Sequence, residues 1–295
     1  MSIFRSGFIA IIGRPNAGKS TLLNAMLGEK LAIVSPKPQT TRTVIRGIKT
    51  SKDCQMIFVD TPGIHKGASL LNASLVSGAR AALRDADAIV YLFDAAAKRH
   101  EDDELVMETL KGLRSPVVLA LNKVDKVEKE RLLPLIDEFS KRMNLAAIVP
   151  VSALKRTGLD ALEKALSGLL PEGPKYFPDD QLTDSTERSI AAAIIMEKVF
   201  LNTSKEIPYS VAVTIDKFEE KKSKGVVAIT ATINVERDSQ KGIIIGKAGS
   251  MLKRIGTAAR LDMEKMLAVK VFLELFVSVR RDWTKKPGDL KEFGY

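Results

Sequence analysis

GRPNAGKS, residues Gly13 to Ser20, stands between a strand-like apolar run, GFIAIIG, and a helical one, TLLNAML. The spacing G-x-x-x-x-G-K-S is that of a loop that wraps phosphate. Its glycines let backbone N–H groups curl around a β-phosphate, the following helix adds its dipole, Lys19 reaches the β/γ oxygens and Ser20 can ligate Mg²⁺. A loop of this kind joins a strand to a helix, and the same alternation continues downstream. QMIFVD, AIVYLFD, PVVLALN and AAIVPVSA are further short β-branched runs, alternating with helical stretches to about residue 170. That alternation predicts a mostly parallel sheet with helices on both faces.

Two other stretches fall where a nucleotide site needs them. DTPG, Asp60 to Gly63, ends an apolar strand and brings a carboxylate toward Mg²⁺ and a glycine N–H toward a γ-phosphate. NKVD, Asn122 to Asp125, also follows a strand. An aspartate there accepts two hydrogen bonds from the N1–H and 2-amino group of guanine, whereas adenine would leave the desolvated carboxylate unpaired.

In chain order, GRPNAGKS, PQTTR, DTPG, NKVD and SAL resemble the five motifs of the translation-factor-related GTPases. The resemblance implies GTP and GDP as ligands, with Mg²⁺. It assigns the nucleotide to Gly13, Asn16, Ala17, Gly18, Lys19, Ser20, Thr21, Asp60, Gly63, Asn122, Lys123, Asp125, Ser152 and Ala153. Asn122 and Asp125 would read guanine, Lys123 would pack along the base, and Ser152 with Ala153 would complete its pocket. The metal would be held by Ser20, by Thr41 or its neighbour Thr40, and through water by Asp60; Lys19, Thr41 and Gly63 would serve catalysis. Ile64 occupies the position where many Ras-like GTPases carry a water-orienting glutamine, so hydrolysis is expected to be slow or differently arranged. Asn16 matches the asparagine that helps hold K⁺ in potassium-activated relatives; its other reading is a residue that only shapes the loop.

LPEGPKYFPDD, residues 170–180, is dense in proline, glycine and acids and reads as a linker. The expected division is a GTP-binding domain over 1–172, a linker over 173–183, a second domain over 184–285 and a tail over 286–295. A length of 295 residues suits two cores. In the second domain a helix begins near Asp184. The alternating runs YSVAVTID and VVAITATINV then flank a charged tip, FEEKKSKG, and after GIIIGKAGS come a helical segment over 250–267 and a strand, VKVFLELFVSV. The expected order is α-β-β-(GKAG)-α-α-β. Residues 237–286 hold twelve Lys/Arg against five Asp/Glu within a chain of net charge +10, an excess that attracts polyanions.

Gly246-Lys247-Ala248-Gly249, leading into a helix within that basic region, resembles the GXXG loop of a type II KH module, which clamps about four nucleotides of single-stranded RNA. Lys253 is assigned to RNA with it. Ile243, Ile244 and Ile245 are expected in the core, Trp283 in packing, and bases in an aliphatic groove, because aromatic residues are scarce. The fold class is therefore an α/β P-loop GTPase domain followed by an α+β KH domain. That combination resembles the Era family of bacterial ribosome-assembly GTPases over nearly the whole chain. It implies binding near the 3′ end of 16S rRNA, maturation of the 30S subunit, and a peripheral association with the inner face of the membrane. No DNA partner is expected.

A second reading is an RNA chaperone with a structural nucleotide, kept open by Ile64. A third, a small-molecule kinase, is disfavoured by NKVD and the RNA module. Cys54 is the sole cysteine, which excludes an internal disulfide, leaves no disulfide-linked partner expected and suits a reducing cytosol. The two histidines offer no zinc-ligand spacing. No apolar run is long enough to span a bilayer and the N-terminus lacks a signal-peptide layout, so a cytoplasmic location is expected.

Overall fold

The computed structural model describes residues 4–35, 37, 45–64, 69–203, 207–221 and 225–295. The chain forms two compact units: Met1–Ala32, Thr41–Ala68 and Asn72–Asp184 in the first, Ile33–Thr40, Ser69–Leu71 and Ser185–Tyr295 in the second.

The strands and helices run in the order β1 (Arg5–Ile12), α1 (Lys19–Leu27), β2 (Ile45–Thr50), β3 (Cys54–Asp60), α2 (Leu70–Arg84), β4 (Ala88–Asp94), α3 (Glu101–Leu110), β5 (Val117–Asn122), α4 (Leu132–Arg142), β6 (Ala147–Pro150) and α5 (Leu159–Ser167). Among the described residues the sheet of the first unit has the order β2-β3-β1-β4-β5-β6. All neighbours are parallel except β2, which runs antiparallel to β3. Every residue of β3, β4 and β5 is buried, which is why these strands read as unbroken apolar runs. Alternate side chains feed two cores. Ile9, Ile11, Phe58, Val90, Leu92 and Ala120 meet α1 and α5 on one face; Ala10, Ile12, Ile89, Tyr91, Phe93 and Leu119 meet Leu83, Val106 and Phe139 on the other. The strand β2 was absent from the sequence expectation. Its IRGIKT carries only two large apolar residues, and it is defined by its ladder to β3.

The proline-rich stretch after α5 is hydrogen-bonded to the first unit. Ser6 N–H donates to the Pro171 carbonyl at 3.1 Å and Ile48 N–H to that of Leu182 at 2.8 Å. The fully buried Gln55 accepts from the N–H groups of Tyr176 (2.7 Å) and Phe177 (3.0 Å) and donates to the Phe177 carbonyl (2.8 Å). One internal amide thus pairs backbone groups that prolines cannot place in a ladder.

The second unit contains α6 (Glu187–Asn202), β7 (Ala212–Lys221), β8 (Val226–Val235), α7 (Asp238–Ile245), α8 (Ser250–Leu267), β9 (Lys270–Val279) and α9 (Pro287–Glu292). Its sheet has the order β7-β8-β9, antiparallel then parallel. Thr186 caps α6, its hydroxyl accepting from Ser189 N–H at 3.2 Å. The core joins Ala191, Ile195, Val199 and Phe200 of α6 to Ile229, Ala231 and Ile233 of β8 and to Ile255, Ala259 and Met263 of α8.

The order differs from expectation in one respect: GKAG lies between two helices and not before both. Gln240 starts the earlier one, its Oε1 accepting from the N–H groups of Glu236 (2.9 Å) and Arg237 (3.1 Å) directly after β8. GIII is therefore the last turn of α7. Residues rotate by about 100° each on a helix, so Ile244 alone is enclosed while Ile243 is 48% exposed. Trp283 packs as expected: its indole N–H donates to the Ser210 carbonyl at 3.1 Å and its ring meets Phe293 and Tyr295 at 5.1 and 5.8 Å. Residues 286–295 include α9, whose Leu290 is buried.

Candidate nucleotide and nucleic-acid sites

Strand β1 ends at Ile12 and α1 begins at Lys19, so Gly13 to Gly18 must turn within six residues. Gly18 does so at φ 103°, where a Cβ would lie 2.5 Å from the Asn122 amide nitrogen. Any side chain here would be both strained and obstructed. Lys19 is only 7% exposed, and its Nζ donates to the carbonyls of Gly13 (3.1 Å) and Arg14 (3.2 Å). Burial draws its pKa down from 10.5 to about 8, against the opposing pull of the Asp60 carboxylate. A desolvated ammonium facing backbone carbonyls fits a polyphosphate, whose charge would raise the pKa again and favour the protonated form. The Ser20 hydroxyl donates to Asp60 Oδ2 at 2.8 Å, so the oxygens suited to share Mg²⁺ are already adjacent. Gly63 lies beside them: a Cβ there would come within 3.2 Å of Lys19 Nζ.

Two contacts tie this loop to the NKVD turn, and two more tie the turn to SAL. Asn122 donates through Nδ2 to the Ala17 carbonyl (2.8 Å) and accepts through Oδ1 from Ala153 N–H (3.0 Å), linking the phosphate loop to SAL through one amide. Lys123, at φ 66°, donates to the Asn16 carbonyl at 2.8 Å and to Asp94 Oδ2 at 2.7 Å. Ser152 Oγ hydrogen-bonds Asp125 Oδ1 and fixes the carboxylate at the rim. Asn16 is exposed and left-handed at φ 63°, and Thr21 is half-buried in the first turn of α1. Thr40 and Thr41 lie outside the described residues. Ile64 is 1% exposed among Ala10, Ile12 and Tyr91, so it is a core residue.

In the second unit, Gly246 N–H closes α7 onto the Gly242 carbonyl at 2.8 Å, and Gly249 N–H turns back to the Gly246 carbonyl at 3.2 Å. Gly246 adopts φ 71° and ψ 177°, with room for no Cβ because Met251 Cβ would lie 2.7 Å away. Lys247 and Ala248 are exposed at the tip, and α8 begins at once with its N–H groups toward the loop. Lys253 and Arg254 are exposed one turn further along. The loop therefore offers backbone donors and cations at a surface that an extended phosphodiester can reach.

Sequence reasoning missed two features. Asp94 belongs to no motif, and its sole signal was its place as the polar end of AIVYLFD. The other is an aromatic pair on β9: strand alternation turns Phe272 and Phe276 outward, 57% and 55% exposed, and VKVFLELFVSV already carried that alternation.

This is the architecture of a P-loop GTPase that carries a KH domain, and the comparisons agree on both halves. Residues 8–123 match the family of 50S ribosome-binding GTPases, and residues 206–284 match the KH domain. The chain is 54% identical to the GTPase Era of Syntrophus aciditrophicus, covering 99% of this chain and 96% of the relative. It is 53% identical to that of Geobacter metallireducens, covering 99% and 98%. A crystal structure of an Aquifex aeolicus Era variant bound to GDP·AlF4⁻ superposes with a TM-score of 0.95 at 42% identity, covering 99% of each chain. The same three figures hold for Era in complex with MgGDPNP and nucleotides 1506–1542 of 16S ribosomal RNA. The chain belongs to the Era family of GTPases.

Proposed function

We propose that this chain is a GTP-hydrolysing switch whose second unit binds 16S rRNA near its 3′ end and assists assembly of the 30S subunit. The observation that carries the reading is the presence in one chain of a phosphate loop with an enclosed lysine and an exposed GKAG loop, each in the fold its chemistry needs. The Era complex with a 16S rRNA fragment supports the RNA target.

In this reading the backbone from Gly13 to Gly18 cradles the β-phosphate and Lys19 neutralises the β/γ oxygens. Ser20, Thr41 and Asp60, the last through water, hold Mg²⁺, which shields developing phosphate charge. Gly63 donates its N–H to the γ-phosphate. Asn122, Lys123, Asp125, Ser152 and Ala153 hold guanine. Gly246 to Gly249 with Lys253 hold RNA backbone. GTP biases the segment bearing Thr41, and coupling to RNA requires that the two nucleotide states differ in RNA affinity. Ile64 leaves the water to be oriented by another group, and K⁺ held at Asn16 would supply charge at the leaving oxygens. We place the protein in the cytosol; its net positive charge is the support for a peripheral contact with anionic lipid, and no helix among the described residues is long and apolar enough to cross a membrane.

RNA crosslinking in cells with mapped bases tests the target: enrichment of the 16S 3′ region is expected, and crosslinks scattered over unrelated RNA would refute it. Turnover in KCl should exceed that in NaCl several-fold at equal ionic strength and lose this advantage in Asn16→Ala; equal rates would leave Asn16 as a loop-shaping residue. A protein that binds GTP and RNA without turnover would be the chaperone with a structural nucleotide.

A further inference from the structure

Behind the phosphate loop lies a group of charged side chains whose two carboxylates, Asp94 and Asp103, belong to no GTPase motif. The Arg14 side chain is largely enclosed and lies against two carboxylates of the first unit. Its Nε lies 3.4 Å from Asp103 Oδ1 and its Nη2 lies 3.9 Å from Asp94 Oδ2. Asp94 stands at the end of β4; its Oδ2 also accepts from Lys123 Nζ at 2.7 Å, and its Oδ1 accepts from Ala96 N–H at 3.1 Å. Asp103 is fully buried in the first turn of α3, where its Oδ2 accepts from His100 N–H at 2.9 Å. A single carboxylate thus meets one cation from the phosphate loop and one from the guanine turn. A second carboxylate anchors the first cation to α3.

The group is poorly satisfied. Arg14 Nε, Asp103 Oδ1 and the Tyr91 hydroxyl are all buried without a hydrogen bond among the described residues. Burial pushes the Asp103 carboxyl above its usual range. Buried charge of this kind is commonly no more stabilising than apolar side chains of equal volume, so stability does not explain its presence. Position offers an explanation. The Arg14 and Gly13 carbonyls hold Lys19, and the Asn16 carbonyl holds Lys123, so the backbone that carries Arg14 contacts both ends of the nucleotide site.

We propose that Asp94 and Asp103 are positioning residues for nucleotide retention: through Arg14 and Lys123 they brace the phosphate loop against the guanine turn and slow the departure of GDP. The proposal rests on the nucleotide assignment above. Release requires the two loops to part, and the brace resists that motion from behind, without touching the ligand.

The test is the dissociation rate of a fluorescent GDP from the full-length protein, measured beside its thermal midpoint. Asp94→Asn removes the shared charge, and the pair Arg14→Met with Asp103→Leu replaces the buried ions by apolar groups. Both should release GDP about tenfold faster, the loss of one charge-assisted contact. The apolar pair should keep or raise the thermal midpoint. Retention that falls while stability holds is a result a merely structural role would not give. Should the pair lose stability, Val106→Ala, a buried change on the same helix, is the control. Slower release from Val106→Ala than from the pair at an equal midpoint supports the brace, and equal release overturns it. Wild-type rates in both variants also overturn it. A wild type that fails to bind GDP at all would sink the nucleotide assignment first.

Discussion

The two glycine-lysine loops share a plan and differ in exposure. Both follow an apolar element, both open a helix, and both use glycines where a Cβ would collide. Around Gly13 to Ser20 the lysine is enclosed, held by two carbonyls, and its ammonium is destabilised by lost solvent. Around Gly246 to Gly249 the lysine is exposed at the tip, and Ala248 sits at φ 50°. The first loop suits one compact, highly charged ligand, because the cost of desolvating Lys19 is recovered only when phosphate meets it. The second suits a polymer, because an open surface with cations lets successive phosphates pass and gains from released counterions. Enclosure gives one loop geometric selectivity; openness gives the other tolerance and salt sensitivity.

The contrast breaks most sharply at Lys19. Lys19→Ala should cost on the order of 100- to 1,000-fold in GTP affinity, the scale expected when one partner of a buried charge contact is removed. RNA affinity of the nucleotide-free protein should stay within about twofold, since the GKAG loop has its own core. Titration calorimetry for GTP and filter binding for RNA read the two effects. A parallel collapse of both would mean that the loops do not work independently.

The opposite perturbation is Lys247→Asp with Ala248→Asp, which keeps both glycines and places two negative charges at the tip. RNA affinity should fall on the order of 30-fold while GTP affinity and the thermal midpoint hold. The same charge change at Lys285 and Lys286, both exposed, should act mainly at low salt, within the reach of screening. Equal losses from the two pairs at every salt concentration would reduce GKAG to a part of a basic surface.

The sequence made the strands of the first sheet legible because β3, β4 and β5 are buried on both faces and so carry continuous apolar runs. It made the phosphate loop legible because a tight turn, a close approach and a cation demand particular residues at fixed spacing. The less demanding features escaped. Strand β2 has little apolar content, and its pairing with β3 emerges only in three dimensions. The hydrogen bonds of Gln55 to residues 176 and 177 join positions more than 120 apart, and composition alone marked that stretch as a linker. Three isoleucines in a row read as core, yet a helix turns them in three directions, so Ile243 is exposed. Asp94 and Asp103 act through Arg14, and a brace without ligand contact has no local spacing to announce it.

The smallest expected effect is a pH dependence, and it separates the loops by the state of one ammonium. In the nucleotide-free protein Lys19 titrates near 8, against 10.5 for an ordinary lysine. Between those values the unfolded chain holds more protons than the folded one, so this residue's contribution to stability improves as pH rises from about 8 to 10.5. Nucleotide binding carries the opposite sign: phosphate favours the charged ammonium, which must be reprotonated once pH exceeds 8. GDP affinity should therefore fall about tenfold between pH 7 and pH 9. Guanosine, which lacks phosphate, supplies the reference, because ionisation of the base at N1 affects both ligands alike and cancels in their ratio. Lys19→Arg keeps its charge throughout this range, so its ratio of GDP to guanosine affinity should stay flat. A wild-type ratio that is equally flat would show that Lys19 remains fully protonated without phosphate, and the contrast between an enclosed, strained cation and an exposed one would lose its electrostatic basis.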